Sequence, residues 1–155
     1  MSGGWTITDV ARIAARLEAH DWSFSHQRRA DIDAHWARTK AGKPRIFNGK
    51  VLLQHACEFS GEVFHARYFE TDYADFIAWI HFGYPPPPMR NGFAMAALRA
   101  NDGAYLLGVM SEHTVNAGRI YFAAGTPDRE DVRPDGSIDL EGSAERELIE
   151  ETGLK

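Results

Sequence analysis

The run Arg146-Glu147-Leu148-Ile149-Glu150-Glu151-Thr152-Gly153-Leu154 constrains this chain more than any other stretch. An α-helix advances by about 100° per residue, so positions i, i+3 and i+4 share a face. Glu147, Glu150 and Glu151 therefore fall within an arc of roughly 100°. Like charges at these spacings repel by about 0.2–0.5 kcal/mol per pair. All three also stand near a helix C-terminus, where the macrodipole favours cations. Arg146, four residues before Glu150, is the local partner that an i,i+4 ion pair would use. Three hard oxygen donors on one face suit Mg²⁺ or Mn²⁺; an acidic, solvated face is the plain alternative. Gly153 suits the left-handed position that closes a helix, with Leu154 placed to fold back on it. Asp139 is a natural N-cap, since its carboxylate can accept a backbone N–H from the first turn. These caps bound a helix of about three turns.

The RE pair, the EE pair, the glycine and the last leucine stand in a register that resembles the second half of the Nudix box. That pattern is REUxEExGU, with U aliphatic, and every specified position matches. The front half departs from it. The usual signature has a glycine fourteen residues before the arginine and a glutamate eight before it, and here those places hold Val132 and Ile138. Gly125, Gly136 and Asp139 lie close by, so the loop reads as lengthened, and Ala123-Ala124-Gly125-Thr126-Pro127 resembles the turn ahead of the box. Asp139 and Glu141 are the candidates for the upstream acid, each equally a capping or first-turn residue.

The resemblance implies a helix that binds divalent metal against a diphosphate. Water then attacks phosphorus in a nucleoside diphosphate linked to another moiety. Glu147, Glu150 and Glu151 would be the metal ligands and catalytic acids, Arg146 would orient a glutamate by ion pairing, and Mg²⁺ or Mn²⁺ would be the cofactor. Phosphoryl chemistry needs charge neutralised and a nucleophile aligned, and a metal does both. The general base is not assigned. Phe47-Asn48-Gly49 followed by Thr71-Asp72-Tyr73 resembles the region before the core in some bacterial Nudix proteins and in relatives acting on UDP-sugars, which ranks nucleotide sugars among the substrates. A catalytically inactive Nudix-like nucleotide-binding or regulatory module is the alternative, favoured by the altered front of the box. The box closes at Leu154 and the sequence at Lys155, so the chain reads as a fragment that stops just after the box. An unpaired strand edge could then drive association with another chain, giving a homo-oligomer.

Composition limits the other classes. Hydrophobic residues make up 44% and charged residues 25% of 155 residues, a globular balance. A net charge of −5 argues against binding a nucleic acid polymer, yet a metal can supply the positive field a small phosphate ligand needs. The single cysteine, Cys57, permits no internal disulfide and suits a reducing compartment. Asp9, Arg12, Arg16 and Glu18 interrupt the N-terminal apolar positions, so no secretory core is present, and no run is long enough to cross a bilayer. A soluble, cytoplasmic protein without a membrane partner is expected. Phosphate-cradling glycine loops are lacking. His55 and His65 have no zinc-like spacing, and Ser111 with His113 lacks a third group to orient a nucleophile.

The spacing Val10, Ile13, Ala14, Leu17 predicts an amphipathic helix ending near His20, with Thr8 or Asp9 as cap. A second helix is expected over Arg29–Lys40, with Ile32 and Trp36 on one side and a break at Ala41–Pro44. Asn48-Gly49 marks a turn. Val51–Phe59 and Val63–Phe69 read as a hairpin around Ser60-Gly61. Asp72–Phe82 reads as a helix with Phe76, Trp79 and Ile80 inward, ended by Pro85–Pro88. Phe93–Ala100 and Tyr105–Met110 form strand candidates around Asn101-Asp102-Gly103, with Arg119–Ala123 as a further strand. The expected fold is α+β: a mixed-sheet Nudix-like α/β/α sandwich, incomplete at its C-terminus. Residues 1–88 form an N-terminal helical and hairpin extension with a proline linker. Residues 89–155 form the first half of a Nudix domain.

Overall fold

The computed structural model describes residues 6–111 and 117–154. In chain order the elements are β1 (Arg12–Leu17), α1 (Ser23–Gln27), α2 (Arg29–Gly42), β2 (Lys50–Ser60), β3 (Val63–Asp72), α3 (Tyr73–His81), β4 (Gly108–Val109), β5 (Ile120–Tyr121) and α4 (Leu140–Thr152), with a 3₁₀ turn at Arg129–Asp131. β2 and β3 form the expected antiparallel hairpin, Ser60 opposite Val63. β1 joins the far side of β3 in parallel, Arg12 beside Val63 and Leu17 beside Tyr68, so the sheet is mixed, in the order β1-β3-β2. β4 and β5 pair separately as an antiparallel ribbon. The chain is thus a mixed α+β fold.

Side chains alternate across a strand, and the hairpin uses both faces. Val51, Leu53 and Phe69 point to one side, where they pack with Trp22, Phe24, Ile32, Phe76, Ile77 and Trp79 from the three N-terminal helices. Leu52, Ala66 and Tyr68 point to the other, against Ala15, Ile138 and the partly buried Leu17, Val132 and Leu140. The second face therefore seats the segment that leads into α4. Burial of a large apolar side chain contributes about 1.5–3 kcal/mol, so both faces hold the sheet. Leu52 N–H donates to the Pro127 carbonyl at 2.7 Å, and Gln54 and Arg90 exchange a pair of backbone bonds at 2.9 Å. Both tie residues beyond the proline run to the hairpin.

The predicted first helix is a strand instead. Helical spacing of four apolar residues is coincidental here, because only Ala15 is buried while Ile13 is 50% exposed. The free edge of β3 offers a row of unmet backbone donors and acceptors, and pairing with it outweighs a short, weakly apolar helix. α2 forms as expected, with Ile32 buried and Trp36 packed on the core. α3 also forms, but Ile80 is 39% exposed and Ile77 takes the inward position beside Phe76 and Trp79. Asn48-Gly49 makes no hairpin turn. Its residues instead meet the start of α3: Ala74 N–H donates to Asn48 Oδ1 at 2.8 Å, and Tyr73 N–H to the Gly49 carbonyl at 2.8 Å. The Asn101–Gly103 turn is present, closed by Ala100 N–H to the Ala104 carbonyl at 2.8 Å, but its flanks are isolated bridges rather than long strands. No helix among the described residues is long and apolar enough to cross a membrane.

Two pairs of histidine rings meet at the junctions of these elements, one stacked and one tilted. His35 of α2 lies 4.3 Å from His81 of α3, and His20 lies 4.4 Å from His55 of β2, ring centre to ring centre. Burial, then His81 and Arg38, pull the His35 proton affinity below its ordinary value of 6.5. For His55 the causes are burial, then His20, with Glu18 opposing and Arg67 adding. A base depressed in the folded state binds protons more tightly when unfolded. Its contribution is therefore full above the unfolded value and lost as pH falls below it. Thermal unfolding followed from pH 7.5 to pH 5 should show a falling Tm below about pH 6.5, and a His35→Gln, His55→Gln double variant should flatten that slope. An equal slope in the variant would contradict this assignment.

Candidate functional site

α4 carries the acidic run, and both its ends are fixed by the residues the sequence indicated. Asp139 Oδ1 accepts from Gly142 N–H at 2.9 Å. Gly153 closes the helix at φ 71°, its N–H donating to the Ile149 carbonyl at 2.8 Å. Leu154 does not fold back; it is 47% exposed, and its N–H turns to Thr152 Oγ1.

Arg146 makes a different pair from the one expected. Its guanidinium lies 2.8 Å from Asp131 Oδ1 and 3.6 Å from Glu130 Oε2. Asp131 is almost fully enclosed, its side chain 4% exposed, so the attraction acts in a lower dielectric than exposed Glu150 offers. The other Asp131 oxygen accepts from Ser143 Oγ at 3.1 Å and from the Asp128 N–H at 3.0 Å. Asp128 in turn accepts from Glu130 N–H at 2.7 Å, completing a capping box. One carboxylate thus binds the loop after Pro127 to the middle of α4.

Glu147, the next residue along, sits partly buried against Gly125. A side chain at Gly125 would overlap the Glu147 carboxylate, so only glycine leaves room for it there. Burial pushes the Glu147 proton affinity up; Arg146 pulls it down, and Glu150, Glu151 and Asp131 each push it up again. Burial is the main cause, and the neighbouring carboxylates add to it. Glu150 is exposed and borders a shallow groove with Gly142, Glu145, Arg146 and Ile149. Glu151 is also exposed and borders a cavity of about 450 Å³ lined by Leu106, Leu107, Val109, Met110 and Leu148. Among the described residues no three metal-ligating side chains are already gathered around one point. The donors themselves are hard oxygens on long side chains, so by donor chemistry the set would suit Mg²⁺ or Mn²⁺.

The sequence missed Asp131. Asp139 and Glu141, its two candidates for the upstream acid, do other work: Asp139 caps α4 and pairs with Arg133 at 2.7 Å, while Glu141 is exposed on the first turn. A signal was present in the spacing. Gly125 and Asp131 stand six residues apart, the same separation as the glycine and glutamate of the signature. Asp131 precedes Arg146 by fifteen residues where the signature has eight, so the extra seven lie between them. Counting back from the arginine therefore landed on Val132 and Ile138. His113 lies outside the described residues. No protein-family model matches the chain, and no curated protein matches it.

Breaking a buried ion pair on one side costs about 3–5 kcal/mol, because a charge is left enclosed without its partner. Arg146→Ala leaves the enclosed Asp131 carboxylate without its cation and should lower unfolding free energy in urea by about 3 kcal/mol. The double change with Asp131→Ala should cost much less than the sum of the two single changes. Additive losses in that double-mutant cycle would show that the pair is not a unit.

Proposed function

We propose that the chain is a Nudix-type hydrolase on a Nudix-like α/β/α scaffold, cleaving the pyrophosphate bond of a nucleoside diphosphate linked to another moiety, with nucleotide sugars as the first class to test. The observation that carries this reading is the placement of Glu147. It rests on Gly125 beside the Arg146–Asp131 clamp, and Glu150 and Glu151 follow one turn later, exposed and within an arc of about 100° by helical spacing. A Mg²⁺ or Mn²⁺ ion bound by these three carboxylates would neutralise phosphate charge and lower the pKa of a water nucleophile.

The chain's own residues supply the positioning. Arg146 is drawn to Asp131, which fixes the helix face and leaves Glu147 directed at the Gly125 turn. The apolar cavity beside Glu151 is large enough for a nucleoside, and its leucine and methionine lining suits a base or sugar ring rather than a charge. A ligand seated there would bring its phosphates to Glu151 at the rim. The lone thiol fits a reducing, cytoplasmic setting.

Incubation with a panel of nucleotide sugars and dinucleotides plus Mg²⁺ should release nucleoside monophosphate, and chelator should abolish the release. Glu150→Gln should lower kcat on the order of a hundredfold or more while the unfolding curve stays close to wild type. No product from any substrate would overturn the enzyme reading. Metal-dependent nucleotide binding without turnover would favour a non-catalytic nucleotide-binding module instead.

A further inference from the structure

The seven residues that lengthen the loop build something of their own. Residues 132–138 form a small hairpin, with Val132 bridged to Ile138 and Arg133 N–H donating to the Ser137 carbonyl at 2.8 Å. The hairpin docks on the outer edge of β1. Leu17 N–H donates to the Gly136 carbonyl at 2.9 Å, Ile138 N–H to the Ala15 carbonyl at 2.9 Å, and Arg16 is bridged to Ser137. This seals an edge that would otherwise be open. It also brings Arg133 next to Arg12 and Arg16.

These three arginines line one cleft of about 340 Å³, together with Ile13, Ala14 and Ser137. No carboxylate is among its lining residues. Arg12 and Arg16 are two steps of alternation apart on β1, so they project from the same face, with the small Ala14 between them. The parallel register sets Arg67 of β3 beside Arg16, adding a fourth guanidinium to that face. Arg133 is paired with Asp139 at 2.7 Å. Arg16 gives one donor to the Asp135 carbonyl at 2.9 Å, and the Asp135 carboxylate is engaged by Ser137 N–H and Oγ. Arg12 and Arg16 form no direct salt bridge among the described residues, although Arg16 and Arg133 stand close enough to the Asp135 carboxylate to help hold its proton affinity below the ordinary value. A guanidinium has five donors in a flat fork, so most of theirs are unused.

Asp139 and Asp135 offset part of this charge, and the guanidinium donors left over make a local positive patch on a chain of net charge −5. We infer that this cleft between β1 and the 132–138 hairpin is an anion site for a small phosphate-bearing molecule, separate from the glutamates of α4. Arginine forks match phosphate oxygens two at a time. The cleft has room for one or two phosphate groups, and the acidic whole of the protein disfavours a long polyanion. The proposal does not depend on the metal reading, because no carboxylate ligand takes part.

The probe is inorganic pyrophosphate, titrated calorimetrically at low salt with EDTA present so that the glutamates cannot hold it through a metal. One binding event is expected, weakening as salt is raised. Arg12→Ala and Arg16→Ala should each weaken it at least about tenfold. Glu150→Gln should leave it unchanged. Arg12 has no side-chain partner to lose among the described residues, so its variant should keep the wild-type Tm. No binding by the wild type at millimolar pyrophosphate, or wild-type binding by the two arginine variants, would overturn the proposal. Tighter binding of a single-stranded RNA than of pyrophosphate would also overturn it, in favour of a polymer surface.

Discussion

The enclosed ion pair between Asp131 and Arg146 determines how the C-terminal helix meets the rest of the chain. A buried carboxylate is tolerated only when its oxygens are filled, and here Arg146, Ser143 Oγ and the Asp128 amide fill them. Because the pair joins a loop to a helix, it fixes the rotation of α4 about its own axis. That rotation directs Glu147 at Gly125 and leaves Glu150 and Glu151 open to solvent. The loop itself is anchored one step earlier, where the Pro127 carbonyl accepts from Leu52 at the centre of the sheet. A continuous line of contacts therefore runs from the apolar hairpin to the acidic face.

The mixed sheet serves two groups of neighbours. Its helix-side face is a conventional aromatic core, with Trp22, Phe69 and Trp79 meeting edge to face. A second pair, Arg29 with the enclosed Asp75 at 2.8 Å, joins α2 to α3 on that side. The opposite face is smaller and depends on Ile138, which lies on the lengthened loop. Residues 132–138 are thus structural: they pair with the edge of β1 and complete the second core.

Features governed by local chemistry were legible in the sequence. The caps of α4 are an Asx side chain and a left-handed glycine, and both act within a few residues of themselves. The β2–β3 hairpin and α3 combine strong apolar runs with clear breaks, and they form close to where they were read. Features governed by distant partners were not. β1 has the spacing of a helix and becomes a strand because β3, some fifty residues later, offers an edge. Ile80 and Ile77 could not be ranked without knowing which side α2 would take. Asp131 was hidden because fifteen residues separate it from Arg146, and nothing local to either residue marks the pairing. Arg146 was given a neighbour on its own helix, and a buried acid outcompeted an exposed one.

The central claim is that the α4 carboxylates bind one divalent ion while the Asp131–Arg146 pair holds the helix in place. Anomalous diffraction from a crystal soaked in Mn²⁺ tests it most directly. The account predicts a peak coordinated by Glu147 with Glu150, Glu151 or both, and Arg146 still on Asp131. A fully soaked crystal with no peak at α4, or with manganese bound only elsewhere, would contradict it.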